Sequence, residues 1–174
     1  MSFRIREAAA EDLDVVVELW KKLSVDQMSK DPYYHGSMEF QGGREQFAES
    51  LSSHDCRIFL AEEDGCVIGF IEVWLYPSDF YFFVDDYAYI LHLYVEESAR
   101  SYKTAYRLYR TAEEWAAGQG RAYLAADVFS HNQKVIKLLE HAGLGVYRTR
   151  MVKSIKHRDG ETHEPADQAD YQIN

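Results

Sequence analysis

A mixed α/β fold, with a central mixed β-sheet flanked by helices, is predicted by three features of the sequence. Strand-like runs at Arg57 to Glu62 and Val67 to Tyr76 flank Asp64-Gly65, a pair that supplies the positive φ values of a tight hairpin, so the two runs should pair antiparallel. A third strand, Tyr87 to Val95, follows after one loop. From there the apolar period lengthens. Ala105, Leu108, Tyr109, Ala112 and Ala116 form a helical stripe, a short buried run follows, and a second stripe comes after it, the alternation of a sheet covered by helices.

Taken in order, Phe3 to Arg6 alternates as a short strand, and Leu13, Val16, Val17, Trp20 and Leu23 place a helix after it. Asp26 to Gly43 has no sustained period and reads as a long functional connection, with a short helix at Arg44 to Leu51. Pro77 to Asp86 is a loop of aromatics and acids. In a regular strand over Tyr87 to Val95, Tyr89, Leu91, Leu93 and Val95 share one face and His92 takes the other, and a bulge would reverse that parity. The next helix stops near Gly118 and Gly120, Ala122 to Phe129 is a strand, and Val135, Leu138, Leu139 and Ala142 mark a helix ending at Gly143. One or two further strands are expected between Leu144 and Ile155.

The 174 residues, 47% of them hydrophobic, suit one domain, expected over 1–156. Residues 157–174 carry five acids (Asp159, Glu161, Glu164, Asp167, Asp170) against Arg158, the composition of a polar acidic tail. The net charge of -10 argues against nucleic acid as a partner, because phosphate backbones are held by excess Lys and Arg. No apolar run approaches the roughly 18 residues of a membrane span, and no signal peptide opens the chain, so a cytoplasmic, membrane-free protein is expected. Cys56 and Cys66 are out of register for a disulfide across the Asp64-Gly65 turn. Neither they nor the seven histidines match a metal motif, so no metal is expected.

The chemistry concentrates where the third strand turns into a helix. A helix start offers unpaired backbone N–H groups at the positive end of its dipole, a site for anions, and Arg100 and Lys103 add charge. The run Val95-Glu-Glu-Ser-Ala-Arg100-Ser-Tyr-Lys103-Thr-Ala105 resembles the acetyl-CoA pyrophosphate loop of the GCN5-related N-acetyltransferases, V-x-x-x-x-R-x-x-G-x-G/A. Lys103 departs from the usual glycine. Farther on, Asn132, Leu138, Glu140 and Gly143 match the family's N-x-x-A-x-x-L-Y-E-x-x-G-F pattern, and the order of elements agrees from about Phe3 to Lys156. The resemblance implies the acyl-CoA N-acyltransferase fold and acetyl-CoA as cosubstrate. It implies contacts to acetyl-CoA from Leu93, Tyr94, Val95, Arg100, Ser101, Tyr102, Lys103, Thr104, Ala105 and Asn132. Asn132 also suits a helix N-cap. The tyrosine that often protonates the departing thiolate in this family falls at Leu139; Tyr147 and Tyr109 are conceivable substitutes, with core packing the alternative use of each.

The amine must lose a proton before it attacks, which calls for a carboxylate or histidine near the thioester. Glu72, inside the apolar strand Gly69 to Tyr76, is the leading candidate base, with Tyr89 on the third strand and then His92 or a water relay behind it; an outward-facing Glu72 is the alternative. That strand and the segment Ala112 to Gly120 look like the aminoglycoside 6'-acetyltransferase branch. The resemblance places the acceptor between two loops, which here carry Asp31 and Tyr33, and Asp79, Tyr81, Asp85 and Asp86, a set suited to a cationic small-molecule amine. Those aromatics equally suit loop packing or a homodimer contact. The alternatives are an acetyltransferase of protein or peptide amines and a catalytically idle acyl-CoA-binding domain. A Rossmann-type binder is disfavoured, because no G-x-G-x-x-G follows a strand.

Overall fold

The computed structural model describes residues 2–31, 33, 40–78 and 85–153, without the side chains of residues 40, 41 and 102. Its elements are β1 (Phe3–Glu7), α1 (Leu13–Met28), α2 (Phe40–Ser52), β2 (Cys56–Glu63), β3 (Cys66–Tyr76), β4 (Tyr87–Val95), α3 (Tyr102–Gly118), β5 (Tyr123–Ala126) and α4 (Gln133–His141). Five strands form one sheet in the order β1-β2-β3-β4-β5, antiparallel up to β4, with β5 parallel to it. The mixed α/β prediction therefore holds. The β2–β3 hairpin turns where expected, with φ of 49° at Asp64 and 83° at Gly65. Cys56 pairs with Trp74 and Cys66 with Glu63, and both thiols are free.

Helices cover both faces of the sheet. Phe59, Ala61, Ile71, Val73, Leu75, Ala88, Ile90 and Val95 pack with Leu108, Tyr109, Ala112 and Ala116 of α3 and Leu138 and Leu139 of α4. On the opposite face, Ile58, Leu60, Phe70 and Tyr94 pack with Val16, Val17, Leu19 and Leu23 of α1 and Phe47 of α2. Each helix meets the sheet through the stripe its 3.6-residue period dictates. At the β1 edge, Arg6 bridges Asp12 (2.7 Å) and Glu62 (2.5 Å), tying the start of α1 to the sheet.

Two sequence expectations need correction. No strand forms over residues 144–153, although Val146, Met151 and Val152 are apolar; they are exposed, so the segment lacks the packed face that makes alternation into a strand. The second concerns β4. Its register runs from Glu72↔His92 to Val73↔Ile90, which leaves Leu91 as an extra residue and reverses the alternation. Ala88 and Ile90 before the bulge, and Leu93 and Val95 after it, all face α3 and α4. Tyr89 and His92 therefore face α1 and α2, and Tyr89 does not share a face with Leu93 and Val95.

Candidate active site

Glu72 has no exposed surface. Its Oε1 accepts hydrogen bonds from Ser50 Oγ of α2 (2.9 Å) and Trp74 Nε1 (2.8 Å), with Cys56 Sγ at 3.8 Å, and its Oε2 lies 2.6 Å from His92 Nδ1. Burial alone would push the carboxyl pKa up. The bonds and charge of His92, then Trp74 and Ser50, outweigh it and hold Glu72 below the ordinary glutamate value, as an anion. A buried carboxylate can only accept, so Nδ1 of His92 carries the hydrogen, and in the neutral form of the ring the lone pair is on Nε2. His92 also meets the rings of Phe47 and Phe70, with centroids 5.8 and 6.3 Å away, and its side chain keeps 19% of its surface open.

The sheet forks beside His92. β5 accompanies β4 only from Tyr87↔Tyr123 to Ile90↔Ala126, while β4 continues to Val95. From the Leu91 bulge onward the edge of β4 toward β5 has no strand beside it among the described residues, leaving main-chain groups at the carboxyl ends of two parallel strands. Tyr89 lies on the His92 side, edge-on to Tyr76 at 6.4 Å. Burial, followed by the charge of Asp127 just past β5, pushes the Tyr89 hydroxyl up to about 12.

Farther along, the β4–α3 turn is built by its own side chains. Ser101 Oγ caps α3 by accepting from Thr104 N (3.1 Å) and contacts Thr104 Oγ1 (3.0 Å). The N–H groups of Tyr102 and Lys103 point out of the first helical turn with no carbonyl of α3 to meet. Lys103 stands in helical backbone and is exposed, so the departure from glycine brings no strain; among the described residues Asp64 is the one non-glycine with positive φ. Arg100 turns back onto the protein. Its Nε donates to Val95 O (3.0 Å), its guanidinium lies 5.6 Å from the Tyr94 ring centroid, and Asp26 of α1 is 3.6 Å away. A cleft of about 490 Å³ lies there, lined in part by Glu18, Lys22, Asp26, Tyr94 and Arg100, and Lys22 is paired with Glu96 at 2.6 Å. Gly69 in β3 lets the strands close up, since a Cβ there would stand 2.6 Å from Tyr94 O.

The remaining predicted residues scatter. Leu93 and Val95 put their side chains into the α3/α4 core, so only their backbone is available at the β4 edge, and Ala105 packs there as well. Tyr94 is buried on the α1 side. Asn132 caps α4, its Oδ1 accepting from Val135 N (3.4 Å). Leu139 is buried, Tyr109 is buried with its hydroxyl donated to Glu113 (2.8 Å), and Tyr147 is exposed. Asp31 accepts from Tyr33 N (2.8 Å) beyond the end of α1. Asp86 is held by Ser78 N (2.9 Å) and Arg121 (2.7 Å) and, with Asp85, lines a groove at the start of β4. That end lies roughly 15–20 Å from His92 at about 3.3 Å per strand residue. Asp79, Tyr81 and residues 157–174 lie outside the described residues. Sequence reasoning missed Ser50, Trp74 and Asp127. Asp127 had one available signal, its place at the carboxyl end of a parallel strand.

The sequence profile of the Acetyltransferase (GNAT) family matches residues 19–144. An uncharacterised N-acetyltransferase of Bacillus subtilis (strain 168), YhfO, is 29% identical over 140 residues, 80% of this chain and 87% of that one. Among solved structures, a mutant of the BH1408 protein from Bacillus halodurans superposes with a TM-score of 0.78 at 14% identity, covering 88% of this chain and 99% of its own. AAC(6')-Iy, solved with the bisubstrate analogue CoA-S-monomethyl-acetylneamine, superposes with a TM-score of 0.67 at 20% identity, over 91% and 99%. A bulged β4, a strand pair that forks beside it and a capped helix after it thus belong to a chain whose profile match spans most of its length: this protein is a member of the GNAT acetyltransferase family.

Proposed function

We propose that the protein transfers an acetyl group from acetyl-CoA to the primary amine of a cationic small molecule, with His92 as general base. The observation that carries this is the buried Glu72 anion 2.6 Å from Nδ1 of His92, on the face opened by the Leu91 bulge. Glu72 is a poor base itself. It is fully buried, accepts from Ser50, Trp74 and His92, and is held below its ordinary pKa. Its role is to fix the tautomer that leaves Nε2 of His92 free to accept the ammonium proton, and to stabilise the imidazolium that results.

The chain's groups fit acetyl-CoA at two places. The N–H groups at the start of α3 suit a pyrophosphate, and the open main-chain edge of β4 after Leu91 suits the pantetheine amide groups and the thioester oxygen. Acetyl-CoA, when bound, supplies the acyl group as a thioester. Arg100 acts chiefly by bracing the turn against Val95 O, Tyr94 and Asp26, which keeps those N–H groups aligned. Leu139 offers no proton, and a thiolate of ordinary thiol pKa, about 8.5, departs without a dedicated acid. Tyr89, expected from the sequence as catalytic, takes a supporting role beside Asp127.

The test is acetyl-CoA-dependent thiol release with a panel of amines, comparing the wild type with His92→Gln. Turnover that falls by about a hundredfold or more with acetyl-CoA affinity unchanged supports the assignment. Equal turnover in the variant removes His92.

A further inference from the structure

We infer that Asp127 is the specificity residue of the acceptor site, binding a second cationic group of the amine whose nitrogen is presented to His92. This rests on the acetyl-transfer reading of the same fork. The register places it there. Ile90 pairs with Ala126, so Asp127 stands level with the Leu91 bulge, one step from His92. Leu124, Ala126 and Val128 turn toward the α3/α4 core, which puts Ala125 and Asp127 on the other face, with Tyr89, His92 and Glu72.

Position and charge separate Asp127 from the other described acids considered for this role: Asp85 lies with Asp86 at the start of β4, roughly 15–20 Å from His92 at about 3.3 Å per strand residue. Asp86 is neutralised by Arg121, Asp26 by Lys30 and Arg100, and Asp31 is spent on the backbone of Tyr33. Glu72 is sealed. Asp127 is exposed, and no Lys or Arg pairs with it among the described residues. Tyr89 offers an aromatic surface beside it, backed by Tyr76 and by the stack of Tyr76 on Tyr87 at 5.4 Å. A carboxylate beside the Tyr89 hydroxyl, with which it is hydrogen-bonded, and near the Tyr89 ring suits an ammonium, which gains from the charge and from an aromatic neighbour. A second ammonium held at Asp127 keeps the substrate in register, and its charge lowers the pKa of the reacting amine, which favours loss of the proton to His92.

The acceptor class that follows is a primary amine with a second ammonium a few bonds away. The experiment compares a linear diamine with the amino alcohol of the same length, in the wild type and in Asp127→Asn, with acetyl-CoA affinity measured by calorimetry in both. The expected result is a wild-type preference for the diamine in kcat/KM that falls about tenfold in Asp127→Asn, with acetyl-CoA affinity unchanged. An unchanged preference overturns the assignment and leaves acetyl transfer standing. A wild type that binds acetyl-CoA but acetylates neither probe nor any amine of the panel overturns the acetyl-transfer reading, and the role of Asp127 falls with it. Tyr89→Phe is the second variant: it keeps the aromatic surface and the Asp127 charge, so the diamine preference should persist, and its loss there would assign the selectivity to the hydroxyl instead.

Discussion

The two faces of the sheet have the same strands in common and opposite chemistry. Toward α3 and α4 the buried sheet residues are apolar, from Phe59 to Val95. Toward α1 and α2 the core includes Glu72, Cys56 and Ser50, and His92 borders it. A buried carboxylate is costly without partners, and each neighbour of Glu72 supplies one. The apolar face thus holds the strands in register, and the mixed face spends part of its burial on a polar network that aims one imidazole at the fork. Substitutions on the first face should therefore register in stability, and those on the second in turnover.

The largest expected effect breaks the polar face at its tip. His92→Gln should lower kcat by roughly 10²- to 10⁴-fold, the span of general-base catalysis, while circular dichroism and melting stay near wild type. Its counterpart is Ile71→Ala on the apolar face. Deleting that fully buried side chain should cost about 2–5 kcal/mol in denaturant unfolding, with kcat of the folded enzyme close to normal. A large loss of turnover in Ile71→Ala at full folding would show that the two faces are not separable.

Glu72→Gln sharpens the comparison through pH. The folded-state pKa of Glu72 lies below the ordinary value of 4.5, so its stabilisation is present above pH 4.5 and is lost as pH falls through the folded value. Glu62, lowered by Arg6 and Arg4, acts in the same window, and Asp12, lowered by Arg6, acts from its own ordinary value of 3.8 downward. Melting curves from pH 6 to pH 3 should be flatter in Glu72→Gln than in the wild type, and kcat should drop by about ten- to a hundredfold because the glutamine can donate to Nδ1 and reverse the tautomer. An acid profile identical to wild type would mean that Glu72 is not held as an anion.

Gly69→Ala tests the close approach of β3 to β4. The added Cβ meets backbone, Tyr94 O at 2.6 Å, so a loss of about 1–3 kcal/mol is expected by chemical denaturation. The smallest effects fall on tyrosines away from the fork: Tyr147→Phe and Tyr109→Phe should each keep most of the turnover. A hundredfold loss in either would identify a proton donor for the leaving thiolate.

What was legible in the sequence is what neighbouring residues determine among themselves. The stripe Val16, Val17, Leu23 sets α1, Asp64-Gly65 sets the hairpin, Ser101 and Asn132 cap α3 and α4, and the order of these elements with the Val95 to Ala105 run pointed to the family. Such features depend on period, φ preference and local hydrogen bonds, all carried within a few residues.

Tertiary structure decided the rest. Whether Tyr89 joins His92 and Glu72 on one face depends on an extra residue at Leu91, and a bulge is defined only by pairing against β3, so a regular alternation put Tyr89 on the wrong side of the strand. Arg100 was legible as a cation at a helix start, but its partner Asp26 lies on α1, distant in sequence, and that contact turns the guanidinium toward α1. Asp127 and Asp86 are both carboxylates at strand ends; Arg121 neutralises one and no Lys or Arg pairs with the other among the described residues. The strand expected after Leu144 had alternation without a packed face to receive it. In each case the deciding interaction joins residues distant in sequence, and a linear pattern holds no record of which of them meet.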